Sequence, residues 1–152
     1  MPLTILNRQR TVPFDRPAWT AGFEAILTAA KVADREVSLM LVSDPAMRKL
    51  NREWRGFDKP TDCLSFPSAE GEGSEFAGEF LGDIVISLET ALRQGRERAA
   101  ADTADDAALR AEVMMLFAHS LLHLLGWDHP DDASAKKMDR KAKKLLEAVT
   151  PR

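Results

Sequence analysis

Apolar residues recur along this chain with two periods, and the switches between them lay out its elements. Leu3 to Leu6 is a short apolar run suited to a first strand. From Arg16 to Val32, Trp19, Phe23, Ile26 and Leu27 return at helical spacing, with Pro17 tolerated in the first turn. Glu36 to Ser43 (EVSLMLVS) is apolar and β-branched and predicts a buried strand. Asp44 then caps a helix with Pro45 at its first position and Met47, Leu50 and Trp54 as its inner stripe. Asp62 to Phe66 and Leu81 to Leu88 predict two more strands, the second leading into a basic helical segment, Leu92 to Arg98. Two helices follow, about Ala107 to Leu125 and Ala133 to Val149. In the last one Met138, Ala142, Leu145, Leu146 and Val149 face inward, and Lys136, Lys137, Lys141, Lys143 and Lys144 face solvent. Ser68 to Glu79, rich in Gly and Glu, is expected to be a mobile, solvated loop. This order predicts an α+β fold for residues 1–152: a single small domain with a short mixed sheet, mostly sequential, packed on helices around a buried central helix.

Composition narrows the class. A chain of 152 residues is expected to form one domain that buries roughly 68–70% of its unfolded surface. A net charge of −3 argues against binding nucleic acid by bulk electrostatics and leaves room for a local basic cleft. Arg48, Lys49, Arg52, Arg55 and Lys59 offer such a footprint. Cys63 is the single cysteine, so no internal disulfide forms, and a reducing cytoplasm is expected. The first residues lack a secretory apolar region, and no apolar run is expected to reach the ~18 residues of a membrane span.

The chemistry concentrates in one place. All three histidines lie in HSLLHLLGWDH, His119 to His129. His119 and His123 are four residues apart, so on a helix their rings stack along one face at about 6 Å. Gly126 can end that helix in a left-handed turn and bring His129 back over the same spot. From Val113 to Leu125 only His119, Ser120 and His123 are polar, and neutral imidazoles on so apolar a helix are costly unless something binds them. Three convergent imidazoles describe a catalytic zinc site with an open position. The frame His119-x3-His123-x2-Gly126-x2-His129 matches the metzincin zinc motif except that Ser120 stands where its glutamate base belongs. Serine cannot accept a proton near neutral pH without a base of its own, which weakens the case for a peptidase.

The same residues resemble a known family. HSLLHLLGWDHP is similar to the H-G-x-L-H-L-x-G-Y-D-H signature of the YbeY endoribonucleases. Upstream, NREWRGFDKPTDCLSFP (Asn51 to Pro67) resembles that family's N-x-x-x-R-x-x-d-x-P-T-D-V-L-S-F-P segment, and LGDIVIS (Leu81 to Ser87) its G-D-I-x-I-S strand. Ser120 stands where Gly is common, Trp127 replaces Tyr and Cys63 replaces Val. The resemblance implies a metal-dependent endoribonuclease of ribosomal RNA. His119, His123 and His129 would bind one zinc ion, and Arg55 would face it across the cleft. A guanidinium fork there suits phosphodiester cleavage, because it pairs phosphate oxygens bidentately and offsets developing charge. By itself Arg55 reads as a surface residue at a helix end. Asp62 and Asp83 are candidates for support behind the ligands or for strand ends, and Asp128 for orienting a ligand ring or capping the turn. Cys63 reads as a small buried hydrophobe.

The expected activity is zinc-dependent cleavage of single-stranded RNA in maturation of the 16S rRNA 3′ end and in ribosome quality control. Its expected partners are ribosomal RNA, the small ribosomal subunit and its assembly factors, with no membrane and no DNA. A zinc-dependent peptidase or other metallohydrolase with metzincin-like geometry is the alternative. A structural zinc in a ribosome-assembly adaptor is a third, disfavoured because structural sites close with four ligands.

Overall fold

A computed structural model describes residues 3–68, 80–127 and 131–149. Four strands form one sheet: β1 (Leu3–Asn7), β2 (Glu36–Val42), β3 (Cys63–Pro67) and β4 (Phe80–Ser87). Their spatial order is β1-β2-β4-β3, with β1, β2 and β4 parallel and β3 antiparallel at one edge. Strand β4 therefore inserts between β2 and β3, and the strands run less sequentially than expected. Five helices surround the sheet: α1 (Arg16–Ala29), α2 (Asp44–Arg55), α3 (Leu88–Arg98), α4 (Asp105–Leu124) and α5 (Asp132–Leu146). The expected α+β class with a mixed sheet and a central helix is what forms. The predicted loop beyond Ser68 lies outside the described residues.

The alternation of the strands assigns the two faces of the sheet different work. Val37, Leu39, Leu41, Ile84 and Ile86 point into the main core with α1, α4 and α5. Their neighbours Val42, Leu64 and Val85 point the other way, into a smaller cluster with Met47 of α2. Helix α1 buries the predicted stripe Trp19, Phe23, Ile26 and Leu27, and Phe23 meets Phe117 of α4 at a ring-centroid separation of 4.6 Å. In α5, Met138, Ala142 and Leu145 are buried.

Helix α4 is enclosed on most sides. Val113, Phe117, Ala118 and Leu121 are fully buried, and Glu112 is the one charged side chain buried among the described residues. Burial pushes the Glu112 carboxyl up, opposed by the Arg98 guanidinium 3.7 Å away. By length and composition alone α4 is long and apolar enough to span a membrane, against the expectation that no run is long enough. Yet 67% of that apolar window is buried inside the fold, so its apolar surface is already satisfied by protein.

Ser43 occupies the N-cap of α2; Asp44, expected to cap it, is instead the first helical residue and has a different role. Its backbone N–H donates to Glu89 Oε1 at 2.7 Å. Its carboxylate crosses to α3, accepting from Ser87 Oγ and Thr90 Oγ1 at 2.6 Å each and pairing with Arg93 at 2.8 Å. Burial opposes ionisation of Asp44, but the two hydroxyls and the guanidinium together outweigh it and hold the carboxyl below its usual range. A depressed carboxylate stabilises the fold above its unfolded pKa, and that stability is lost as pH falls through the lower folded value. Asp44→Ala should therefore cost about 1–3 kcal/mol at neutral pH. Urea unfolding followed from pH 7 down to pH 3 should show the gap between the two proteins narrowing below about pH 4; a constant gap would contradict this assignment.

Candidate active site

Helix α4 ends where the sequence places its glycine. Gly126 has φ 95°, and two bonds close the turn: Gly126 N–H to His123 O at 3.0 Å and Trp127 N–H to Leu122 O at 2.9 Å. This is a Schellman ending, which needs a left-handed residue at that position. The turn delivers the Trp127 carbonyl to His123 Nδ1 at 3.2 Å. A carbonyl can only accept, so Nδ1 carries the proton and the imidazole lone pair lies on Nε2. One turn earlier, His119 meets His123 with ring centroids 5.2 Å apart at 67°.

Both histidines line a cleft of about 1130 Å³. Its floor is the second face of the sheet beyond the end of α2, including Ser38, Met40, Phe66 and Val85. Arg55 and Trp54 enter it from the last turn of α2. Thus α4, on one face of the sheet, and α2, on the other, send side chains into a common space past the edge strand β3, which is only five residues long. Cys63 on that strand sits at the crossing. Burial and the nearby Asp62 carboxylate push its thiol up to about 12, opposed by Ser120 of α4 and the charge of Arg55 of α2. A thiol so shifted is protonated at neutral pH and offers no nucleophile there.

The structure brings together three of the four expected site residues, His119, His123 and Arg55. His129 and Asp128 lie outside the described residues, and among the described residues no group of three His, Cys, Asp or Glu side chains assembles. His119 and His123 are therefore the described residues that could hold a metal ion. Ser120, at the metzincin glutamate position, is fully buried beside Cys63 and absent from the cleft wall. Asp83 is exposed and is the one carboxylate among the described residues lining the cleft. Asp62 instead secures the start of β3, accepting from Cys63 N–H at 2.7 Å while its backbone carbonyl accepts from Ser87 N–H at 2.9 Å.

Two features of the site escaped the sequence reading. Trp54, expected on the inner stripe of α2, is 67% exposed, because the last turn of α2 projects past the apolar cluster that covers Met47. Asn51 is almost fully buried. Its Nδ2 donates to Lys59 O at 2.8 Å, and its backbone carbonyl accepts from Phe57 N–H at 3.3 Å. It pins the loop that follows Gly56, itself at φ 78°, and so fixes how Arg55, Phe57 and Lys59 are presented. The asparagine of the N-x-x-x-R segment was the available signal.

The chain belongs to the YbeY endoribonuclease family: the family profile, Endoribonuclease YbeY, matches residues 4–150. Among relatives named Endoribonuclease YbeY, that of Anaeromyxobacter sp. (strain Fw109-5) is 48% identical over 124 residues, covering 82% of this chain and 59% of the relative. That of Synechococcus sp. (strain JA-3-3Ab) is 41% identical over 143 residues, covering 90% and 83%. That of Geobacter metallireducens is 33% identical over 148 residues, covering 96% and 94%. This chain thus spans 59% of the length of its Anaeromyxobacter relative. It is also similar to a Thermotoga maritima protein solved in solution, with a TM-score of 0.64 and 28% identity over 97% of this chain and 88% of that one.

The turn at Gly126 makes a test of how the site is held. A Cβ there would meet nothing within 4 Å, so Gly126→Ala incurs only the conformational penalty of the left-handed residue, about 1–2 kcal/mol. Thermal unfolding should register that loss as a lower Tm, and the His123 ring signals should shift in a ¹H–¹⁵N spectrum, since the turn carries the carbonyl that meets Nδ1. Unchanged stability and unchanged His123 ring signals would contradict the role given to this turn.

Proposed function

We propose that this chain is a zinc-dependent endoribonuclease of single-stranded RNA, acting in the cytoplasm on the 3′ end of 16S rRNA during maturation and quality control of the small ribosomal subunit. The observation that carries the reading is the shared cleft: two imidazoles from α4 and the Arg55 guanidinium from α2 line one space. Family membership supports RNA as the substrate class. The donor set fits zinc, which takes imidazole nitrogens readily. His119, His123 and His129 would hold the ion, with His123 oriented by the Trp127 carbonyl. When bound, zinc supplies Lewis acidity toward a phosphoryl oxygen and toward water.

The protein's own contribution is to position and to balance charge. Arg55 presents five donors in a planar fork that matches two phosphate oxygens. Its guanidinium lies over the Phe57 ring at 5.4 Å, a contact that steadies it. The apolar floor of Met40, Leu64 and Val85 lowers the local dielectric, so the attraction between guanidinium and phosphate is stronger than in open water. Ser120 stands at the sequence position of the metzincin base and is buried away from the cleft, so that residue supplies no carboxylate there.

Cleavage of an end-labelled single-stranded RNA tests this directly. Chelation and His123→Ala should each abolish turnover, and Arg55→Ala should lower kcat about 10²- to 10³-fold, with Arg55→Lys recovering only part because lysine lacks the bidentate fork. Cleavage by His123→Ala at the wild-type rate would contradict the proposal, as would casein turnover exceeding RNA turnover.

A further inference from the structure

Trp54, Phe57 and Leu6 are the large apolar side chains exposed among the described residues, at 67%, 49% and 39%. They are not scattered. Trp54 and Leu6 line the cleft, and Phe57 follows Arg55 by two residues. An indole left in water at a helix end gives the fold little, and exposed apolar side chains grouped at a cleft mark a contact surface.

We infer that Trp54 is the stacking platform for a nucleobase of the single-stranded RNA, next to the phosphate that Arg55 engages. This rests on the endoribonuclease reading above and adds the subsite that recognises the unpaired strand. The indole is held in place: it sits in the last turn of α2, and Phe66 of β3 meets it edge-to-face, with centroids 5.7 Å apart at 69°. That contact fixes the orientation of the ring while most of its surface stays open to the cleft. Neighbouring charge fits a nucleotide. From Arg48 to Lys59 there are five cations (Arg48, Lys49, Arg52, Arg55, Lys59) against two acids (Glu53, Asp58). Asp58 pairs with Arg48 at 2.8 Å and with Arg52 at 3.6 Å, which leaves Arg55, on the cleft wall, and Lys59 outside that pairing.

Phe57 has a different part. Its ring is flanked by the Arg55 guanidinium at 5.4 Å and the Lys59 ammonium at 5.7 Å, so it steadies the two cations. Trp54 is the ring left for a base. A base in a duplex has its faces covered by its neighbours and cannot present one to an indole without being extruded, whereas an unpaired base can. The stack thereby selects single strands with little preference for sequence, since every base has a π-face.

The test is fluorescence anisotropy of a labelled single-stranded RNA dodecamer, and of the same dodecamer with abasic sites replacing its bases, bound to the full chain at fixed salt. Trp54→Leu should weaken binding of the intact strand roughly 5- to 150-fold, while Trp54→Phe, which keeps a π-face, stays within about threefold of wild type. The abasic strand should bind wild type weakly, and Trp54→Leu should leave its affinity nearly unchanged. Equal losses on intact and abasic strands, or no loss at all in Trp54→Leu, would overturn the stacking site while leaving the nuclease reading standing. A wild-type chain that neither binds nor cuts RNA would overturn both.

Discussion

The burial of α4 is the constraint on which the cleft depends. Phe117, Ala118, Leu121 and Leu122 are at most 1% exposed on the same turns that carry His119 and His123, so the two imidazoles inherit the rigidity of the core. Residues on a helix packed this tightly cannot drift without opening cavities, and cavity formation on the scale of one large side chain costs several kcal/mol. The imidazoles themselves lie at the border of that packing, lining the cleft. They are tolerated because the helix emerges beside the short edge strand β3, where its last turns border the cleft instead of another layer of side chains.

That placement explains why a five-residue strand matters so much. A longer β3 would separate the two faces of the sheet. As it stands, α2 and α4 reach past it, and Cys63 feels both Ser120 of one helix and Arg55 of the other. The parallel core β1-β2-β4 positions α2 through the Asp44 cluster, which ties the start of α2 to the start of α3. Asn51 then sets the far end of α2 and the loop beyond it. Each end of α2 is thus anchored by a buried or half-buried polar side chain, and the exposed residues Trp54, Arg55 and Phe57 are displayed from a fixed support.

Much of this was legible in the residues. Helical periodicity located α1, α4 and α5 with their buried stripes, and β-branched runs located β2 and β4, because local burial writes a local period. The histidine frame and Gly126 anticipated the left-handed turn and the face shared by His119 and His123. What was not legible depended on distant neighbours. The insertion of β4 between β2 and β3 is a pairing between strands of similar apolar character, which no local pattern distinguishes. Trp54 obeys the helical period of α2, yet it lies beyond the point where the second face is covered, so a correct period gave the wrong exposure. Asp44 reads as the cap of α2, but the fold places it one residue inside the helix, with Ser87, Thr90 and Arg93 claiming its carboxylate. Arg55 carried no signal of its own apart from the motif around it.

The central claim is that α4 and α2 address one cleft from opposite faces of the sheet, with the proposed metal ion at the α4 side. Paramagnetic cobalt(II), titrated into the full chain and followed by the three indole N–H signals in a ¹⁵N spectrum, tests it most directly. The predicted result is selective broadening of Trp54 and Trp127, which line the cleft, at one equivalent of cobalt, while Trp19, packed against Phe14 in the core, keeps its linewidth. A Trp54 signal as insensitive to cobalt as that of Trp19 would contradict the account.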